Sequence, residues 1–224
     1  MGRMSHSYQS KTETIWIARH GNRIDFVRPE WFDTAERRYD PHLSDDGIVQ
    51  AQQLGCRLRD QGIAHIFASP FLRTVQTAHY VAELLDLPIK LEWGLCEWLN
   101  PEWMSEMPAT LSPEVLAKQF PEIDLSYQSR FHPQYPETET ECFQRAGETA
   151  QYLSAAFSGD LLLVGHGASV LGATLGLVPG TPTAKIHGGL CCLVKVVWGA
   201  TGWSLELKGD TSHLTQRETA IRFH

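Results

Sequence analysis

The chain is short of positive charge. Its 224 residues carry 19 Lys plus Arg against 26 Asp plus Glu, a formal net charge of -7. Nucleic acids and anionic membranes are bound through basic surfaces, so neither is an expected partner. Long apolar runs are also missing. Even Leu161-Leu162-Leu163-Val164 stops at once in Gly165-His166, far below the ~20 residues of a membrane helix. The five cysteines, Cys56, Cys96, Cys142, Cys191 and Cys192, include no Cys-x-x-Cys pair. With an odd count in a chain of this size, free thiols in a reducing compartment fit best. His-Glu-x-x-His and carboxylate clusters of metal-binding type are absent, as are repeats and low-complexity segments. The polar stretch 1–12 has no apolar core like that of a signal peptide, and we expect it to be loose and the protein cytoplasmic.

What is present begins with Thr14-Ile15-Trp16-Ile17-Ala18-Arg19-His20-Gly21-Asn22-Arg23. It reads as a buried strand that ends in two cations, a glycine and a third cation. In an open α/β sheet, ligands bind at the carboxyl ends of strands. Arginine suits tetrahedral oxyanions because its fork donates several hydrogen bonds. The expectation is an anion site with a histidine in its floor, where Gly21 lets the ligand come close. The residues from Ile24 to Leu43 read as a long loop near this site, and Ser44-Asp45-Asp46 opens a helix with Ile48, Ala51, Leu54 and Leu58 on its buried face.

A second strand spans Ala64 to Ala68 and runs into Ser69-Pro70, an N-cap followed by proline, with Arg73 in the first helical turn. Exposed amides and a cation at a helix start favour an anion. Pro88 to Trp93 reads as a third strand, leading to Glu97. From Asn100 to Glu137 six prolines break up the pattern, with one short helix around Glu114 to Phe120. We read an inserted cap over about 98–137 within a single domain. Thr138 to Glu141 opens a long helix with a capping box. Asp160 to Val164 then repeats the opening arrangement, a buried strand followed by Gly165-His166-Gly167. Leu190 to Val197 and Trp203 to Leu207 read as a closing hairpin around Gly199 to Gly202, and the tail from Gly209 as frayed.

Arg19-His20-Gly21, Arg73 within Ser-Pro-x-x-Arg-Thr, Glu97 and Gly165-His166-Gly167 occur in that order. This ordered set resembles the histidine phosphatase superfamily, the phosphoglycerate mutase-like fold, over roughly Ile15 to Leu207. Arg19 to Arg23, Tyr39 to Ser44 and Glu97-Trp98 are similar to the phosphatase domain of the suppressor of T-cell receptor signalling proteins. The resemblance implies an α/β fold: a three-layer, doubly wound, mostly parallel sheet with helices on both faces and an inserted cap. It implies His20 as the nucleophile, with Arg19, Arg23, Arg73 and His166 around the phosphoryl oxygens and Glu97 as the acid that protonates the leaving group. Asn22 departs from a pattern that often has Glu there.

The residues support that chemistry independently. Phosphoryl transfer needs charge stabilisation and an in-line nucleophile. A neutral imidazole among arginines meets the second need. No metal or cofactor is expected, because the cations stabilise the charge. Glu102 is the rival acid, and His187 reads as a surface or packing histidine, the one of its kind that Gly188-Gly189 could bring near the site. Trp31, Phe32, Trp98 and Trp103 are candidate pocket walls, and Cys191 and Cys192 are expected to pack inside a strand. The reading is a metal-independent phosphomonoesterase acting on a small phosphorylated substrate or a phosphopeptide. The alternatives are phosphoglycerate mutase-type transfer and a non-catalytic phospholigand-binding module. Oligomeric state is left open.

Overall fold

A computed structural model describes residues 12–216. Along the chain lie β1 (Thr14–Arg19), the short helices α1 (Ile24–Val27) and α2 (Trp31–Thr34), α3 (Asp45–Leu58), β2 (Ile63–Ala68), α4 (Leu72–Leu85) and β3 (Ile89–Leu91). They are followed by α5 (Pro113–Gln119), α6 (Glu139–Ala156), β4 (Asp160–Gly165), α7 (Gly167–Leu177), β5 (Leu193–Gly199) and β6 (Gly202–Asp210). One six-stranded sheet has the order β3-β2-β4-β1-β5-β6. The first four strands in that order pair in parallel, and β5 runs antiparallel to both β1 and β6.

Alternation along the central strands creates two cores, one on each face. Trp16, Ala18, Ile66, Ala68, Leu162 and Val164 face one way and pack against α3, α4 and α5 through Leu54, Leu58, Val75, Ala78 and Leu116. Ile15, Ile17, Phe67, Leu161 and Leu163 face the other way, against α6 and α7 through Ala146, Ala150, Leu153, Val170 and Ala173. Strands covered on both faces read as unbroken apolar runs, which is why β1 and β4 stood out in the sequence.

Several helix starts follow from single side chains. Ser44 caps α3 by accepting from Gly47 N–H at 3.4 Å, and Thr138 and Glu141 form the expected capping box on α6. The start of α4 differs from expectation. Its N-cap is Phe71, not Ser69. Asp40, 32 residues earlier in the chain, accepts from Leu72 N–H at 2.7 Å and supplies the cap from outside. Ser69 is thereby free to bond elsewhere.

The stretch from Ile24 to Leu43 is not loop throughout, since it folds into α1 and α2. Residues 98–137 include α5 where a short helix was expected, and part of this segment follows the sheet edge. Ile89 N–H donates to Glu122 O at 2.8 Å, and Leu116, Phe120 and Ile123 join the core beside Ile89. Cys191 and Cys192 are buried but precede β5 instead of lying in it, because Cys191 holds a left-handed φ of 49°. The described cysteines are all free. The stretch 1–11 lies outside the described residues; Thr12 itself is buried and donates to Phe157 O at 2.7 Å. At the other end β6 extends through Gly209 to Asp210, Leu214 is buried, and 217–224 lie outside the described residues. Among the described residues no helix is long and apolar enough to cross a membrane.

Helices α6 and α7 cross through glycine. A Cβ on Gly176 would lie 2.4 Å from Gly147 Cα and 2.8 Å from Gly147 O, with only backbone to yield. Elsewhere Gly→Ala in a helix interior stabilises by ~1 kcal/mol. Here we expect Gly176→Ala to destabilise by about 1–3 kcal/mol, because two packed helices must separate. In a chain of this size that lowers Tm by roughly 2–4 °C per kcal/mol. An unchanged or raised Tm in a thermal melt would refute the close crossing.

Candidate active site

The site grows from one strand pairing. β1 and β4 are parallel neighbours with Arg19 opposite Gly165. The ladder runs one step further, since His20 N–H donates to Gly165 O at 3.0 Å. The two histidines that follow these strands therefore come together, ring centroids 5.3 Å apart and edge to face. The first turn of α4 adds Arg73, and the loop after β3 adds Glu97. Arg73 Nη2 lies 3.3 Å from Glu97 Oε2, and His166 Nδ1 lies 3.3 Å from the same oxygen. Arg19, His20, Arg73, Glu97 and His166 are all buried.

His20 is held in one tautomer by its own backbone. Its Nδ1 lies 2.7 Å from Gly21 O. A carbonyl only accepts, so Nδ1 carries the proton and Nε2 keeps its lone pair. That buried Nε2 has no hydrogen-bond partner among the described residues. An orphaned buried acceptor costs ~1–3 kcal/mol, and such exceptions in a folded protein call for a functional explanation. Burial, then Arg73, Arg19 and the neighbouring His166, push the His20 pKa well below its ordinary range. The ring is neutral at physiological pH.

His166 and Glu97 sit in the same field. Burial, helped by Arg73 and Arg19, lowers the His166 pKa to about 4 against the pull of Glu97. Burial alone would raise the Glu97 pKa, but His166, Arg73 and Arg19 outweigh it and hold the carboxyl well below the usual range. Its Oε2 lies 3.3 Å from Nδ1 of the neutral His166 ring, without the alignment of a hydrogen bond. Arg73 is lowered to about 10, by burial first and then by Arg23, while Glu97, Asp40 and Asp25 pull it up. It stays charged at neutral pH. The site is thus an enclosed cationic chamber with one ionised carboxylate at its edge.

Arg23 stands at the margin. It forks onto Asp25, with Nε 2.9 Å from Oδ1, and lies 4.3 Å over the Phe26 ring. It reaches the chamber through its field on Arg73, and among the described residues no hydrogen bond joins it to His20. Gly21 has a packing reason to be glycine. A Cβ there would lie 2.6 Å from Gly47 O, so the missing side chain admits the close approach of α3. Asn22 ties the same loop to α3, donating to Asp46 at 2.7 Å while its own N–H donates to Gln50 at 2.8 Å. Glu102 is exposed and outside the chamber. His187 is also exposed; it is the next residue's carbonyl, Gly188 O, that receives Arg19 Nη1 at 2.7 Å.

Three participants escape a reading of the sequence. Ser69 Oγ lies 2.9 Å from His166 Nε2 and fixes that ring, whereas Ser-Pro looked like a helix start. Asp40 caps α4 behind Arg73, and burial raises its pKa to about 6. Its only signal was a place in Tyr39-Asp40-Pro41. Arg145 showed none. From α6 it donates to Gly94 O at 2.8 Å, Cys96 O at 3.3 Å and Glu97 O at 3.2 Å, and pairs with Glu137. That one buried guanidinium clamps the whole loop bearing Glu97.

Ligand atoms of His20, Glu97 and His166 lie within 4.8 Å of one another, as do those of His79, Glu83 and Glu122. The first set shares its chamber with Arg19 and Arg73, whose charges oppose a metal cation. In the second, the His79 ring is taken up by both carboxylates, 3.0 Å from Glu122 and 3.6 Å from Glu83.

Strand order, paired histidines and cationic chamber together define a class. The histidine phosphatase superfamily, branch 1, matches residues 15–211, and the chain belongs to that family of enzymes. Among individual relatives, a probable phosphoglycerate mutase of Erwinia tasmaniensis is 30% identical over 220 residues, covering 92% of this chain and 96% of its own. The transcription factor tau 55 kDa subunit of Saccharomyces cerevisiae is 34% identical over 138 residues, 59% of this chain, and this chain spans only 32% of that protein. In structure, the ecdysone phosphate phosphatase of Bombix mori in complex with tungstate superposes with a TM-score of 0.73 at 22% identity, covering 95% of this chain and 98% of its own.

Two outcomes test the chamber. The His166 pKa falls on folding, so the unfolded chain takes up the proton first as pH drops. Its contribution to stability is complete above 6.5 and is lost as pH falls from 6.5 toward about 4. An NMR titration should show a neutral His166 ring at pH 6 and a His20 ring protonated at Nδ1; a His166 midpoint above 6.5 would refute the arrangement. Arg145→Met leaves Glu137 buried and unpaired, and should cost about 3–5 kcal/mol in denaturant unfolding. A loss under ~1 kcal/mol, the level of a surface pair, would show that the clamp is not formed.

Proposed function

We propose that the protein is a metal-independent phosphomonoester hydrolase acting through a phosphohistidine on His20. The observation that carries this is the buried, unpartnered Nε2 of a neutral His20 beside Arg19, Arg73 and His166. Nε2 forms a bond to phosphorus as the bond to the leaving oxygen breaks. Arg19, Arg73 and His166 stabilise the equatorial oxygens, and Arg23 adds charge from the margin. Water then attacks the phosphohistidine, phosphate departs, and the imidazole returns to its neutral state.

Glu97 is the acid that protonates the leaving oxygen. It is ionised in the free site because the surrounding cations hold it so. An arriving phosphoryl group brings negative charge that offsets those same cations and lets Glu97 take up a proton. The relatives named phosphatases support hydrolysis, among them the Drosophila melanogaster ecdysteroid-phosphate phosphatase at 28% identity over 211 residues. The similarity to a probable phosphoglycerate mutase over 92% of this chain favours, as a second reading, transfer within a phosphoglycerate. Incubation with 3-phosphoglycerate separates the two: hydrolysis gives free phosphate, transfer gives the 2-isomer.

Hydrolysis of p-nitrophenyl phosphate should persist with a chelator present and vanish in His20→Ala. Glu97→Gln should slow alkyl phosphates by about 10²–10⁴-fold, as loss of a general acid does. The same variant should affect p-nitrophenyl phosphate much less, since that leaving group needs no proton. Equal losses on both esters would sink the role given to Glu97, and activity that dies with the chelator would sink metal independence.

A further inference from the structure

Beside Glu97 lies a cavity of about 230 Å³. Its walls are Trp98, Trp103, Phe143, Ala168 and Leu171, with the exposed Glu139 at its rim. We infer that this cavity receives the leaving group of the substrate and selects an uncharged, apolar ring alcohol or phenol over a charged or polyhydroxylated one. The inference rests on the phosphatase reading and names the substrate class of that same site.

The cavity and the chamber share residues. Glu97 lines the first, and its Oε2 lies 3.3 Å from both Arg73 and His166 in the second. Ala168 lies two positions beyond His166, at the start of α7. A group bonded to a phosphoryl oxygen near Glu97 therefore has this cavity as its adjoining space. The volume is below the ~300 Å³ at which pockets for whole drug-sized ligands begin, so it takes part of a molecule.

Its chemistry is one-sided. Among the described residues, the charged ones lining it are Glu97 and Glu139, both acidic, with no cation beside them. A leaving group bearing a carboxylate, such as glycerate, would meet like charge and find no partner. Aromatic walls instead favour a ring, in stacked or edge-to-face contact. These walls are fixed. Trp98 and Trp103 pack edge to face with centroids 4.9 Å apart, and the Trp98 indole N–H donates to Glu137 O at 2.9 Å. Glu137 is in turn the partner of Arg145, so the wall and the loop bearing Glu97 are held by one buried pair.

The test compares benzyl phosphate, glycerol 3-phosphate and 3-phosphoglycerate, all esters of primary alcohols, by kcat/KM. The wild type should prefer benzyl phosphate by about tenfold or more, the range that apolar pocket contacts supply. Phe143→Ala and Trp103→Ala should each lower kcat/KM for benzyl phosphate by about tenfold. They should lower 3-phosphoglycerate turnover far less, and inhibition by inorganic phosphate, which has no leaving group to seat there, should not change. Wild-type rates on the two polar esters equal to that on benzyl phosphate overturn the inference, as does a uniform loss on all three in a folded variant. Should either variant fail to fold, the wild-type series alone decides. Hydrolysis of p-nitrophenyl phosphate without benzyl preference overturns the cavity assignment only; no hydrolysis of any ester overturns the phosphatase reading beneath it.

Discussion

Parallel hydrogen bonding between β1 and β4 sets everything else in the chamber. Each strand is buried on both faces, so its register is fixed by packing on two sides at once. Sliding either strand by one residue would send Ile15 and Ile17 into the core that Trp16 and Ala18 fill. With the register set, Arg19 faces Gly165, and His20 and His166 leave the sheet side by side. Gly165 is part of this constraint. A Cβ there would come within 2.6 Å of Ser169 Oγ and 3.2 Å of Leu95 O, so the turn into α7 is packed to the backbone.

Around that fixed pair the protein gathers charge that it could not leave unopposed. Arg19 gives one N–H to Gly188 O, and Arg73 is shared between Glu97 and Tyr39 O. Burial makes each of these interactions stronger than it would be in water, and equally makes an unpaired charge more costly. The outcome is a chamber whose histidines are neutral and whose glutamate is ionised. Its remaining cationic character suits a tetrahedral anion.

The loop that carries Glu97 is anchored from both sides by residues that never enter the chamber. Before it, the buried Glu92 accepts from Gly94 N–H, Ser129 Oγ, Tyr127 OH and the N–H groups of Arg130 and Phe131. That carboxylate fastens the segment 98–137 back onto the end of β3. After it, Arg145 and Glu137 hold the carbonyls of Gly94, Cys96 and Glu97 and the N–H of Leu99. Such buried networks stabilise only when complete. Glu97 and the aromatic wall beside it therefore share one support, which ties that carboxylate to the shape of the space next to it.

Sequence by itself determined most of the strands and helix faces and marked the residues that meet in the site. Apolar runs, caps and strand-end cations are local patterns, written within a few positions of the groups they govern. His20, His166, Arg19 and Arg73 could be named from them, and so could the capping box at Thr138. Tertiary structure alone decided what those residues touch. Asp40 capping α4, Ser69 holding His166, Gly188 receiving Arg19 and Arg145 clamping the Glu97 loop all join segments far apart in the chain, and no local spacing encodes such contacts. The same holds for Gly21, whose missing side chain serves Gly47, and for Arg23, which Asp25 draws to the margin. Local preference sets which element a residue belongs to, whereas partners and charge state depend on which elements are packed against each other, and that is settled only once the whole chain has folded.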